Sequence, residues 1–248
     1  MVFYGVKSKD FYNLSILILV TKMVFKLSPS SLNLMEECPR CFWLHQNEHK
    51  KRPDSIFPSL PSGMDNILKT HFDKFRDKNE LPPELKENGD CKDCKLFDNK
   101  ELLKVWRNNL KGITWADEEG NILHGAVDNI LMKGKKLIVL DYKTRGFPLK
   151  EDTHEHYRLQ LDTYNFLLRK NGYETEDYGF LLFYIPKEVT TTGEVIFDTK
   201  LLKLQINVKN AEKVWNKALK LLCGPCPKDS GKEEECEWCR LIESEDGE

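Results

Sequence analysis

The chain has 248 residues, 31% of them charged and 40% hydrophobic, with a formal net charge of −2. That length suits one domain with appendages. The charge excludes a protein that is basic throughout, although a nucleic-acid groove needs only a local positive field. No run approaches the ~20 apolar residues that cross a bilayer, and the apolar stretch from Leu14 to Val20 is far too short.

Residues 1–22 read as an upstream extension or disordered leader, with Met23 as the natural start, because Thr21-Lys22-Met23 makes a poor signal cleavage site. From Ser28 to about Gln46 the spacing of Leu32, Met35 and Phe42 predicts a helix, capped by Ser28, Ser30 or Ser31 and kinked or restarted at Pro39. Lys50 to Ser62 is loop. A second helix is predicted over Ser62–Arg76, with Met64, Leu68, Phe72 and Phe75 on one side, followed by a loop over 79–95. Asn121–Lys133 and Lys136–Arg145 are rich in Ile, Leu and Val and flank Gly134-Lys135, a hairpin signal. Asp152–Lys170 reads as a helix, Tyr178–Ile185 as a buried strand, and Glu194–Asp198 and Lys200–Asn207 as a further strand pair. Val208–Leu222 is a helix with Ala211, Val214, Trp215, Ala218 and Leu222 inward and Lys209, Lys213, Lys217 and Lys220 outward. The order implies a mixed α/β core, a sheet between helices. The predicted organisation is one domain over 23–222 and a Cys-rich, metal-binding tail over 223–248.

A two-residue turn at Gly134-Lys135 pairs residue 133 with 136. Continued, that register sets Asp128 opposite Asp141 and Ala126 opposite Lys143, all on one face, with Val127, Leu131, Ile138 and Leu140 on the other. Two facing carboxylates repel, and a hard divalent cation removes the penalty. Such a cation serves phosphoryl chemistry, and Lys143 beside it suits orientation of an attacking water or neutralisation of developing charge.

All eight cysteines fall in Cys-x-x-Cys pairs: Cys38/Cys41, Cys91/Cys94, Cys223/Cys226 and Cys236/Cys239. This is metal-ligand spacing rather than a disulfide framework, and it points to a reducing, cytoplasmic setting. The two late pairs are expected to form one four-thiolate site, with zinc as the natural ion, and the two early pairs could close a second.

Gly125-Ala126-Val127-Asp128, Asp141-Tyr142-Lys143-Thr144 and Gln160-Leu161-Asp162-Thr163-Tyr164 together resemble the three motifs of RecB-like PD-(D/E)XK nucleases. The resemblance spans roughly Ser28 to Cys239. It implies a restriction-endonuclease-like mixed sheet flanked by helices, with a Cys-rich metal-bound lobe. It also implies that Asp128 and Asp141 hold Mg²⁺ or Mn²⁺, that Lys143 serves the attacking water, and that Gln160 and Tyr164 shape the DNA-facing site. The family often carries a metal-binding His on an early helix, for which His71 is the candidate. His124 lies roughly 13 Å from Asp128 at strand rise, too far to share its ion. His154 and His156 open the Gln160 helix and could touch phosphate. CRISPR-associated RecB-like exonucleases and AddB-type nucleases, which Cys38-Pro39-Arg40-Cys41 also resembles, hold a 4Fe–4S cluster with one early and three late cysteines, a rival to zinc here. The expected partners are DNA, single-stranded or at ends, tracked by the Lys209–Lys220 stripe, together with a helicase or CRISPR adaptation proteins, and no membrane. Two other readings fit the residues: a non-catalytic nucleic-acid-binding subunit on the same fold, and a metal–thiolate adaptor.

Overall fold

The computed structural model describes residues 23–53, 58–231 and 236–245; the leader over 1–22 lies outside them. Strand β1 (Lys26–Leu27) leads into α1 (Pro29–Glu37) and α2 (Pro39–Asn47). Ser28 caps α1 in a reciprocal box with Ser31. Cys38 then takes an extended conformation that ends α1 and caps α2, which restarts at Pro39. Helix α3 (Ser59–Asp77) begins three residues before the predicted start and carries Pro61 in its first turn, where a missing N–H is harmless.

The predicted loop over 79–95 contains α4 (Pro83–Lys86) and reaches a two-residue strand, β2 (Lys95–Leu96). Helix α5 (Lys100–Trp106) and β3 (Ile113–Ala116) fill a stretch with no clear periodicity. The predicted first hairpin strand is two strands: β4 (Ile122–Gly125) and β5 (Asn129–Lys133), separated at 126–128. They belong to different sheets. β4 lies between β1 and β3, while β5 lies in a five-stranded mixed sheet of order β2-β5-β6-β7-β8, completed by β6 (Lys136–Thr144), β7 (Tyr178–Val189) and β8 (Val195–Gln205). The Gly134 turn, at φ 59°, sets Lys133 opposite Lys136 as expected. The two short strands predicted over 194–207 are one long strand, because β7 offers a continuous antiparallel edge with an irregularity only near Pro186.

Helix α6 (Arg158–Lys170), entered through a 3₁₀ turn at Thr153–Tyr157, connects the parallel pair β6 and β7. Helices α7 (Val208–Leu222) and α8 (Glu237–Glu245) end the described chain. Both faces of the large sheet are covered. Ile130, Val139, Leu181 and Phe183 pack with Leu161 and Leu167 of α6 and Trp215 of α7. Leu131, Ile138, Leu140, Phe180 and Leu182 pack with Leu68 and Phe72 of α3. Val127, expected beside Leu131, lies in the first of these cores, because the chain changes sheets at that point. Buried Arg76 ties α3 to the sheet through the Phe97 carbonyl (2.8 Å) and Asn129 Oδ1 (2.7 Å). Among the described residues no helix is long and apolar enough to cross a membrane.

Gly125 is where the small sheet meets α6. A Cβ there would lie 2.6 Å from Tyr164 Cε1 and 3.3 Å from Leu167 Cδ1, both buried. Gly125→Ala is therefore expected to destabilise the fold by ~1–3 kcal/mol through overpacking, read as a lower melting midpoint; an unchanged midpoint would refute this packing account.

Candidate active site

The β5–β6 ladder ends at Asn129–Leu140. One residue earlier the chain leaves the sheet, held by Val127 N donating to the Trp106 carbonyl (3.1 Å) and by Arg107 Nε donating to the Asp128 carbonyl (2.8 Å). Strand β6 runs on past this point, paired only with β7, through Asp141, Tyr142 and Lys143. The Tyr142 N–H donates to Asp128 Oδ2 at 3.0 Å, a side-chain acceptor where a neighbouring strand would have offered a carbonyl. The parting of the strands opens a cleft of ≈ 430 Å³, whose lining includes Asp65, Lys69, Asp128, Asp141, Lys143 and Gln160.

Asp141 is 1% exposed. Its Oδ2 lies 2.5 Å from Lys143 Nζ as an ion pair, yet receives no directed hydrogen bond. Burial pushes the Asp141 carboxyl up to about 7; Lys143 opposes the shift and the nearby Asp128 adds to it. Burial alone would lower the Lys143 pKa, but Asp141 and Asp128 more than reverse this, so the ammonium stays charged at neutral pH. That ammonium also donates to Gln160 Oε1 (3.1 Å) and sits 4.7 Å above the Tyr157 ring. Gln160 Nε2 in turn donates to the Tyr164 hydroxyl (2.8 Å), so the two residues act from one face of α6. Burial raises the Tyr164 pKa, which keeps the phenol a neutral acceptor there.

Two charged cleft residues, besides Tyr157, lay outside the sequence reading. Lys69 on α3 places its ammonium between Asp65 Oδ2 (2.7 Å) and Asp128 Oδ1 (3.2 Å). Burial and Asp128 raise the Asp65 pKa, and the two carboxylates keep Lys69 protonated against its own desolvation. In the sequence, Asp65 and Lys69 are an ordinary i,i+4 acid–base pair of the kind found on solvated helix faces. His71, the sequence's candidate from α3, faces the other way. Its Nε2 lies 3.0 Å from Glu84 Oε1, and its ring packs on Phe72 and Phe75, so it is not placed to share a cation with Asp128. His124 lies in the small sheet opposite Thr114, and His154 pairs with Glu155 at 2.9 Å. Neither these two nor His156 lines the cleft, and nor does any of Lys209, Lys213, Lys217 and Lys220; Lys217 pairs with Glu36 at 2.8 Å.

The residues fit a hard divalent cation. Two carboxylates converge, the buried one is balanced by the Lys143 ammonium, and a second ammonium bridges Asp65 and Asp128. Asp128 and Asp141 would hold such a divalent ion, with Asp65 at the α3 side of the same cleft.

The cysteines group differently from the expectation. Cys38 and Cys41 meet Cys236 and Cys239, and the four sulfurs lie within 4.8 Å of one another, close enough to hold a metal ion. Cys91 and Cys94 are buried in the α3-side core, which holds no second pair of thiols, and Cys223 is exposed. Cys226 lies 3.9 Å from Arg40 Nη1. The first expected site fails because α7 ends at Leu222 and leaves Cys223 at its surface, while Cys236 and Cys239, at the start of α8, meet Cys38 and Cys41 at the start of α2.

The raised Asp141 pKa has a consequence for stability without divalent cations. The folded state binds a proton there between about pH 3.8, the ordinary carboxylate value, and about 7, whereas the unfolded state does not. Stability contributed by this group is full below that window and declines as pH rises through it. The stability of wild type minus that of Asp141→Asn should fall across the window and level off above it, measured by urea melts in cation-free buffer. A difference that is flat with pH would show that Asp141 is not protonated in the fold.

The family profile described as the PD-(D/E)XK nuclease superfamily matches residues 26–244, most of the chain, and covers the whole cleft. A search of curated proteins finds no match. With the mixed sheet, the paired carboxylates and the D-x-K lysine on one cleft, the chain belongs to the PD-(D/E)XK nuclease superfamily.

Proposed function

We propose that the protein is a Mg²⁺- or Mn²⁺-dependent deoxyribonuclease of the RecB-like branch, acting as an exonuclease on DNA ends or single strands in a reducing, cytoplasmic setting. The observation that carries this reading is Lys143 Nζ, held at once by Asp141 (2.5 Å) and Gln160 (3.1 Å) over a cleft that also holds Asp128. That contact joins the D-x-K and Gln-x-x-x-Tyr elements, the pair on which the likeness to the RecB-like branch rests.

The protein's own groups then have distinct tasks. Asp128 and Asp141 concentrate negative charge, which a hard divalent cation would balance while supplying positive charge to the phosphoryl group under attack. Lys143 is a fixed donor, oriented by Gln160 and the Tyr157 ring, and can hydrogen-bond the attacking water or a non-bridging oxygen. Tyr164 holds Gln160 in register. Lys69, which pairs with Asp65 and Asp128 at the rim of the cleft, would add positive charge beside the phosphate backbone. Work on DNA repair or recombination intermediates with a partner helicase, or in CRISPR adaptation, suits such an activity.

The test is cleavage of end-labelled single- and double-stranded DNA with Mg²⁺, Mn²⁺ or chelator. Lys143→Ala and Asp128→Asn should each lower the rate by at least ~10²-fold, as expected for loss of a group that stabilises charge in the transition state. Products shortened progressively from one end would identify the exonuclease. Cleavage indifferent to chelator or to Lys143→Ala would overturn the mechanism. Tight DNA binding without cleavage would favour the non-catalytic binding subunit.

A further inference from the structure

The Cys38/Cys41/Cys236/Cys239 cluster stands apart from the cleft and meets the main core through Leu34. Three of the four cysteines are buried, and none of the eight in the chain forms a disulfide. Cys38 Sγ lies 3.5 Å from Cys239 Sγ, and Cys41 Sγ lies 3.6 Å from Cys239 Sγ and 3.7 Å from Cys236 Sγ. A thiolate-bound zinc has Zn–S bonds of about 2.3 Å, so the edges of its sulfur tetrahedron are roughly 3.8 Å. The observed separations match those edges. A 4Fe–4S cluster holds its four thiolates on four different irons, with the cluster between them. It would keep the sulfurs well beyond the 4.8 Å that encloses all four here, and it does not fit. The composition departs as well, with two early and two late ligands instead of one and three.

The surroundings suit a tetrathiolate ion. Four thiolates around a divalent cation leave net negative charge, and Arg52 Nη2 lies 3.7 Å from Cys236 Sγ to offset it. The Cys41 N–H points at Cys38 Sγ (3.4 Å), a contact that favours the thiolate form. At the start of α8, Cys236, Trp238 and Cys239 pack on Leu34, Cys38 and Cys41, and Leu34 in turn packs against the main core.

We propose that Cys38, Cys41, Cys236 and Cys239 bind a single tetrahedral zinc ion, and that this ion clasps the C-terminal helix to the N-terminal helix pair. Cys91/Cys94 and Cys223/Cys226 take no part.

The full-length protein would be purified anaerobically, so that an oxygen-sensitive cluster survives, and assayed for zinc, iron and acid-labile sulfide. One zinc per chain without sulfide is expected, lost in Cys38→Ser and Cys239→Ser and kept in the double variants Cys91→Ser/Cys94→Ser and Cys223→Ser/Cys226→Ser. Iron with matching sulfide would overturn the single-ion site. Zinc retained without Cys239, or lost with Cys223 and Cys226, would overturn the ligand set. Should Cys38→Ser or Cys239→Ser fail to fold, cobalt titrated into chelator-stripped wild type gives the same answer. Saturation at one equivalent with intense tetrahedral thiolate bands supports the site, and weak octahedral bands refute it. Stripping zinc should also speed proteolysis beyond Leu222 by at least ~10-fold, while the fragment ending there persists. Equal rates with and without zinc would refute the clasp. None of these readouts depends on nuclease activity.

Discussion

Asp141 is a carboxylate almost wholly buried at the end of a central strand, and much of the local architecture compensates for that burial. An isolated charge in such a place is strongly disfavoured, so the group must be protonated, paired or metal-bound. The fold offers Lys143 two residues along the same strand and face, and then fixes Lys143 in turn with Gln160 and an aromatic ring from the helix that follows. Strand β5 stops short of Asp141, which leaves one side of β6 open and turns a buried charge into the floor of a cleft. Had the ladder continued by three residues, the carboxylates would have faced each other across a closed sheet with no room for substrate.

The break at 126–128 thus does two things. It lets the chain pass from the small sheet to the large one, and it frees Asp128 to replace a backbone acceptor for Tyr142. Gly125 just before it admits Tyr164 against the strand, which puts the hydroxyl within reach of Gln160. The cleft is built from connections between elements, and α3 completes it by carrying Asp65 and Lys69 to its rim. Lys69 holds the place of positive charge between two carboxylates, so the electrostatic demand for a cation is visible from protein atoms alone.

The four-thiolate cluster solves a different problem. The large sheet and its covering helices carry the two main cores, and the four cysteines bring the two ends of the described chain together beside them. Bringing residues about 200 apart into one sulfur cluster closes a very long loop, the situation in which a strong local bond does most to restrict the unfolded chain.

The sequence by itself determined the elements whose periodicity is strong and whose partners are local: the restart at Pro39, the Gly134 turn and its register, α7 with its inward Trp215, and the sharing of one helix face by Gln160 and Tyr164. Strand alternation put Asp141 and Lys143 on one face, but the ladder expected to bring Asp128 opposite Asp141 stops at Asn129–Leu140, and Asp128 reaches the cleft from the connection at 126–128. Only the tertiary structure decided that the first hairpin strand is two strands in two sheets, since an apolar run does not reveal where it changes partners. It alone set Asp65 and Lys69 on the cleft and turned His71 to Glu84, because a helix's pattern fixes its faces but not its rotation against a distant strand. It alone paired the first Cys-x-x-Cys with the last. Spacing within a pair is local chemistry, whereas the choice among four pairs depends on which chain ends the core brings together.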